Sequence, residues 1–239
     1  EQLLSCSQGM ILVVGPTGSG KTTTLYSSMM QLNDPSIKII TVEDPVEYQL
    51  PGLNQMQMNP QIGLTFADGL RHILRQDPDV ILVGEIRDRE TAEIAIQAAQ
   101  TGHLVLSTLH TNDAAGAVTR LVDMGIPGFL INSALLGVLS QRLVRRVCTV
   151  CNGESRKGKQ KCRHCGSTGY RGRIGIYELL IFDEEIRQAV KRNCSSTEIN
   201  DIAVKNGMTP LLQCGRNLIR SGITTEEELS RAVTATAGD

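Results

Sequence analysis

Two sets of residues in the 239-residue sequence have the types and spacing that chemistry needs. The first is Gly15-Pro16-Thr17-Gly18-Ser19-Gly20-Lys21-Thr22, followed by Thr23, which has the G-x4-G-K-T form of a phosphate-binding loop. Its glycines let backbone N–H groups curl around a β-phosphate, and the N-terminus of the helix that follows adds positive potential. Lys21 then reaches the β- and γ-phosphates, and the Thr22 hydroxyl ligates Mg²⁺. The second set is Cys148-x2-Cys151-x10-Cys162-x2-Cys165. Two such pairs can wrap backbone around one tetrahedral ion, and four thiolates at ~2.3 Å form a closed structural Zn²⁺ shell with no open position for water. A dithiol redox pair, two disulfides and an iron site are the competing readings of the same spacing.

A phosphate-binding loop needs carboxylates on a second strand end, near Mg²⁺ and the attacking water. The apolar run 80–83 ends in Gly84-Glu85, with Gly84 where an Asp usually stands, so Glu85 must serve. A second acidic cluster, Glu43-Asp44-Pro45-Val46-Glu47, follows the run 38–42. Its competing reading is a solvated turn ahead of Pro45. A third run, 104–109, leads into His110-Thr111-Asn112, where His110 either contacts the γ-phosphate and reports its loss or is structural. His72, His103 and His164 carry only a structural reading.

These groups must be positioned by an alternation of elements. Short apolar runs at 10–14, 38–42, 80–83 and 104–109 read as strands buried on both faces. Helices are expected from the loop to Leu32 and over 67–75, 89–99 and 114–124. Strands alternating with helices give an α/β fold with a mostly parallel central sheet, and ligands gather at its carboxyl edge. Residues 128–143 read as helix, 173–180 as strand, and 184–234 as short amphipathic helices punctuated by Gly207, Pro210 and Gly222. The expected divisions are an α/β core with the phosphate-binding loop over 1–146, a tetracysteine zinc element over 147–172, and a C-terminal strand and helical subdomain over 173–239.

With 41% hydrophobic and 21% charged residues, the composition excludes a disordered or coiled-coil chain. No apolar run approaches the ~18 residues of a membrane span. The chain opens without a Met and reaches an apolar run by Met10, so Glu1 reads as a cut point inside a longer protein. The net charge of −1 hides ten Lys or Arg against the single acid Glu154 between Arg142 and Arg173. Those cations suit three roles: balancing a Zn(Cys⁻)₄ centre, facing anionic lipid, or binding nucleic acid. With 3% aromatic residues and no Trp, stacking platforms for bases are scarce. Seven cysteines, four of them clustered, suggest a reducing compartment and a metal.

The sequence closely resembles the secretion ATPases of bacterial type II secretion and type IV pilus assembly. The likeness rests on residues 15–22 as Walker A and Ile40-Thr41-Val42-Glu43-Asp44-Pro45-Val46-Glu47 as the Asp box. Gly84-Glu85-Ile86-Arg87-Asp88 matches the atypical Walker B, and Thr108-Leu109-His110-Thr111-Asn112 the His box. It continues through Gln141-Arg142-Leu143 and residues 169–178. The resemblance implies a RecA-like P-loop domain that hydrolyses ATP, with Glu43 and Glu85 acting on water and Mg²⁺. Arg71 and Arg75 match arginines near the nucleotide or subunit contacts, and otherwise read as surface residues of an amphipathic helix. It further implies a cytoplasmic homohexamer at the inner face of the bacterial inner membrane, docked on platform and cytoplasmic-face proteins of the system. Nucleic acid is not an expected partner. The family also carries a domain ahead of the P-loop that adds adenine contacts and arginines. Extension and secretion members have a tetracysteine element, whereas retraction members generally lack one, so assembly is favoured. The ten residues between the cysteine pairs are fewer than is typical. The alternative function is a helicase-like nucleic-acid translocase with a zinc ribbon, and a small-molecule kinase stands third.

Overall fold

The computed structural model describes residues 2–158 and 161–234; residues 1, 159–160 and 235–239, which fall within the three expected divisions, lie outside the described residues. Among the described residues one seven-stranded sheet organises the molecule. Its strands are β1 (Gly9–Val14), β2 (Ile39–Glu43), β3 (Asn54–Gln57), β4 (Val80–Val83), β5 (Leu104–Leu109), β6 (Leu135–Val147) and β7 (Tyr170–Ile181), in spatial order β3-β2-β4-β5-β1-β6-β7. Every pairing is parallel except β6 with β7. β1, β2, β4 and β5 are buried at every position, as continuous apolar runs require when both faces are covered.

The helices are α1 (Lys21–Leu32), α2 (Phe66–Leu74), α3 (Arg89–Gln100), α4 (Ala114–Asp123), α5 (Gly128–Ala134), α6 (Glu184–Lys191), α7 (Ser196–Lys205), α8 (Leu211–Arg220) and α9 (Glu226–Thr234). Successive side chains of a strand point to opposite faces. On β1, Ile11 and Val13 therefore pack with Leu25, Tyr26 and Met29 of α1. Met10, Leu12 and Val14 face the other way, into a core closed by the small side chains of α3 and α4, including Ala92, Ala95, Ala114 and Val118. A smaller cluster of Val144, Ile176, Leu211 and Leu229 seats α8 and α9 against the long β6–β7 hairpin. No helix among the described residues is long and apolar enough to cross a membrane.

The expected helix over 128–143 is corrected by the structure: α5 ends at Ala134, and the chain runs on as β6 to Val147. The apolar spacing there suits either period, but Val138, Val144 and Val147 are β-branched and favour a pleated surface. This stretch also fills the place between β1 and β7, and a Cβ on Gly137 would lie 2.9 Å from the Leu180 carbonyl. β3 has no counterpart in the expectation, because Asn-Gln-Met-Gln carries no apolar run and pairs only as a half-exposed edge.

Candidate functional site

The carboxyl ends of β1, β2, β4 and β5 open onto one cavity of about 600 Å³. After Val14 the chain turns through Gly15, Gly18 and Gly20, all at positive φ, before α1 begins at Lys21. At Gly15 the turn admits only glycine, since a Cβ there would lie 2.5 Å from the Gln141 carbonyl oxygen. Thr17, Gly18, Ser19, Gly20, Lys21, Thr22 and Thr23 line the cavity. Gly15 and Pro16 sit behind them, their carbonyls accepting from Lys21 Nζ at 2.8 and 3.1 Å. Burial pulls the Lys21 pKa below its ordinary value, Glu85 opposes that shift, and Arg142 adds to it. The α1 end is clamped from β6: Gln141 Nε2 donates to the Ser19 carbonyl at 2.8 Å, and Gln141 Oε1 accepts from Thr24 Oγ1 at 2.7 Å.

Both expected carboxylates face the same cavity. Glu43, 4% exposed, ends β2 and accepts from Tyr26 Oη, from Thr41 Oγ1 at 2.5 Å and from Gln55 Nε2 at 3.2 Å. Burial and this carboxylate together raise the Tyr26 pKa. Glu85 pairs with Arg87, and its other oxygen lies 3.4 Å from His110 Nε2. His110 is thereby joined to the site, following β5 as Glu85 follows β4. Arg71 and Arg75 are not among the residues lining the cavity: Arg71 pairs with Asp68 at 3.3 Å and with Glu90, and Arg75 closes α2 as an exposed C-cap. Sequence reasoning assigned no role to Tyr26, Gln55, Gln141 or Arg173, the last of which lines the cavity from β7. None stands within a phosphate-binding or acidic motif; Gln141 and Arg173 fall in stretches that carry the family resemblance, whereas only folding marks Tyr26 and Gln55.

A second centre closes the far end of the β6–β7 hairpin. The sulfurs of Cys148, Cys151, Cys162 and Cys165 all lie within 4.8 Å of one another, with Cys151 and Cys165 at 3.8 Å. A tetrahedron with Zn–S bonds of ~2.3 Å has an edge of about 3.8 Å, so the donor set fits a four-thiolate zinc shell. Gly169 N donates to Cys165 Sγ at 3.3 Å, a contact that helps a thiolate hold its charge, and His164 Nδ1 stands 3.4 Å from Cys148 Sγ. Two of the surrounding arginines are used internally. Arg145 lies 4.4 Å over the Tyr170 ring and pairs with Glu228 at 2.6 Å, and Arg156 reaches Tyr170 Oη at 2.9 Å and Glu227 at 3.1 Å.

The sequence and fold are similar to those of known proteins. The family described as "Type II/IV secretion system protein" matches residues 1–231. The type II secretion system protein HxcR of Pseudomonas aeruginosa is 54% identical over 97% of this chain and 50% of its own length. The type IV pilus assembly ATPase PilB of Thermus thermophilus is 50% identical over 98% of this chain and 29% of its own. The chain thus spans half or less of the length of these curated relatives. Among solved structures, that of the pilus retraction motor PilT with bound ADP superposes with a TM-score of 0.78 at 36% identity, covering 97% of this chain and 63% of that one. With sequence, fold and the convergence of motifs on one sheet edge in agreement, this chain belongs to the type II/IV secretion system protein family.

Proposed function

We propose that this chain is the ATP-hydrolysing portion of a motor that drives pilin or pseudopilin assembly in type IV pilus biogenesis or type II secretion. The observation that carries the reading is the convergence of Lys21, Glu43, Glu85 and His110 around one open cavity at the carboxyl edge of the sheet. Backbone N–H groups of the loop and Lys21 hold the phosphates, and Thr22 contributes its hydroxyl to Mg²⁺. Mg²⁺, held there by the Thr22 hydroxyl, would supply positive charge against the negative charge that builds during transfer. Glu43 orients the attacking water, fixed in its own place by Tyr26, Thr41 and Gln55. Glu85 acts toward the metal, and His110, paired to it, responds to the γ-phosphate. Arg71 and Arg75 serve a contact between subunits, since each lies on the exposed face of α2 outside the cavity.

The cysteine centre holds one structural Zn²⁺ and stitches the 148–170 segment to α9. The active assembly is a homohexamer on the cytoplasmic face of the bacterial inner membrane, bound to platform and cytoplasmic-face proteins, with exposed cations near anionic lipid. Support for this comes from the relatives named for type II secretion and pilus assembly. The test is turnover of Mg²⁺–ATP by the purified chain. ADP and inorganic phosphate should appear in equal amounts, with no phosphorylated small product, and a phosphorylated acceptor in place of free phosphate would replace motor with kinase.

A further inference from the structure

Two buried ionisable side chains stand behind the cavity and take no part in the chemistry just described. Arg142 on β6 is 3% exposed and Glu178 on β7 is 5% exposed. Ser140 pairs with Glu178 and Arg142 with Ile176, so the two charges are diagonal neighbours on one face of the hairpin. Each grips backbone groups of the chain around it. Arg142 Nη2 donates to the Asn112 carbonyl at 2.6 Å and Nη1 to the Gln141 carbonyl at 3.0 Å. The same Nη1 fills the space beside Gly15, where a Cβ would lie 3.0 Å from it. Glu178 Oε1 accepts from Ala114 N at 3.0 Å, and Oε2 from Leu211 N at 3.1 Å.

Ala114 and Leu211 are the first residues of α4 and α8, so one carboxylate closes two helix N-termini, where unpaired N–H groups and the positive end of the dipole favour an anion. The two helices depend on it differently. The Asp113 side chain already caps α4 at Gly116 N, whereas Pro210, the N-cap of α8, offers no side-chain cap. The loop 110–113 connects these contacts to the cavity: His110 faces Glu85 at one end, and Asn112 and Ala114 are held by Arg142 and Glu178 at the other. Burial works against the Arg142 charge, and Glu178 with Asp113 offsets that.

We propose that Arg142 and Glu178 are positioning residues that couple occupancy of the nucleotide site to the seating of α8, through the loop 110–113 and the first turn of α4. The inference rests on the nucleotide-binding reading and extends it. A shift of His110 on meeting or losing a γ-phosphate displaces the Asn112 carbonyl and the Ala114 N–H. Because an unpaired buried donor is costly, the carboxylate follows, and the Leu211 end of α8 follows the carboxylate.

Hydrogen exchange of the purified chain, read at residues 211–220 with and without the Mg²⁺ complex of a non-hydrolysable ATP analogue, tests this. In the wild type, exchange there is expected to slow at least about fivefold with nucleotide, the lower end of ordinary allosteric coupling. Glu178→Gln must turn an NH₂ toward one of the two N–H donors, and the nucleotide effect at 211–220 should vanish while binding of a fluorescent nucleotide persists. Leu211→Pro removes the N–H of the α8 arm at a position where proline suits a helix, together with the Leu211 side chain of the α8–α9 cluster, and its response to nucleotide at 212–220 carries the test if the first variant does not fold. A purely structural role would raise exchange equally with and without nucleotide; that result overturns the proposal. So does a wild type that binds nucleotide with no response at 211–220. A wild type that binds no nucleotide overturns the underlying functional reading, and this proposal with it.

Discussion

At the scale of single residues, Lys21 and Glu85 share a cavity yet should fail differently when changed. Lys21 is the cation of the loop, already turned onto the Gly15 and Pro16 carbonyls. In the proposed function its charge meets phosphate in both ground and transition states, so Lys21→Ala should abolish binding of a fluorescent ATP analogue. Glu85 is held by Arg87 and His110, and in the proposed function it acts during chemistry. Glu85→Gln should therefore bind nucleotide within a small factor of wild type and hydrolyse it about 10² to 10⁴ times more slowly, the range for loss of one acid–base group. Equal rates of phosphate release from Glu85→Gln and wild type would remove Glu85 from the mechanism.

At the scale of elements, the cysteine segment and α9 depend on one another. Tyr170 opens β7 beside the sulfurs, lies under Arg145, and bonds Thr225 ahead of α9 at 2.8 Å. Elemental analysis should find one zinc per chain, and Cys162→Ser should lose it. Chelation should raise exchange across 148–170 and α9 before the sheet core, because binding of a structural metal is part of the folding energy of its segment. Glu228 supplies a separate, pH-dependent tie. Burial disfavours its charge, but hydrogen bonds from the Arg145 side chain and backbone, with Arg231 nearby, outweigh that and hold its pKa below the ordinary 4.5. A carboxyl depressed in the folded state adds stability above its unfolded value, and that stability drains away as pH falls through the folded value. Acid unfolding of wild type should thus include a step below about pH 4.5 that Glu228→Gln lacks. At neutral pH the same substitution should cost on the order of 1–3 kcal/mol, the loss of a charged hydrogen-bond partner, measured by urea unfolding.

At the scale of the whole molecule, the lysine and arginine side chains that the described residues bring to the cavity are Lys21, Arg87 and Arg173. Arg87 is engaged by Glu85, and Arg71 and Arg75 do not line the cavity. An arginine delivered from a neighbour contributes ~10³–10⁵ in rate in related chemistry. Turnover per chain should consequently rise with protein concentration, and enforced hexamers should exceed the dilute chain by at least about tenfold on that scale. A rate per chain that is flat with concentration and equal to that of the hexamer would exclude subunit contacts from the active site.

The phosphate loop, both carboxylates, His110 and the four cysteines were legible in the sequence, because each belongs to a motif whose spacing is set locally by a turn or a strand end. The parallel strands β1, β2, β4 and β5 were legible for a similar reason: burial on both faces leaves an unbroken apolar run. What folding alone decided is everything that depends on distant partners. The segment after Ala134 became β6 because a place between β1 and β7 had to be filled, and polar β3 became a strand because β2 offered it an edge. Gln141 meets Ser19 across 122 positions of chain, and Glu178 meets Ala114 across 64. Such contacts leave no periodicity in either segment, since the sequence encodes local conformation directly, whereas long-range partners are chosen by the packing of the whole sheet.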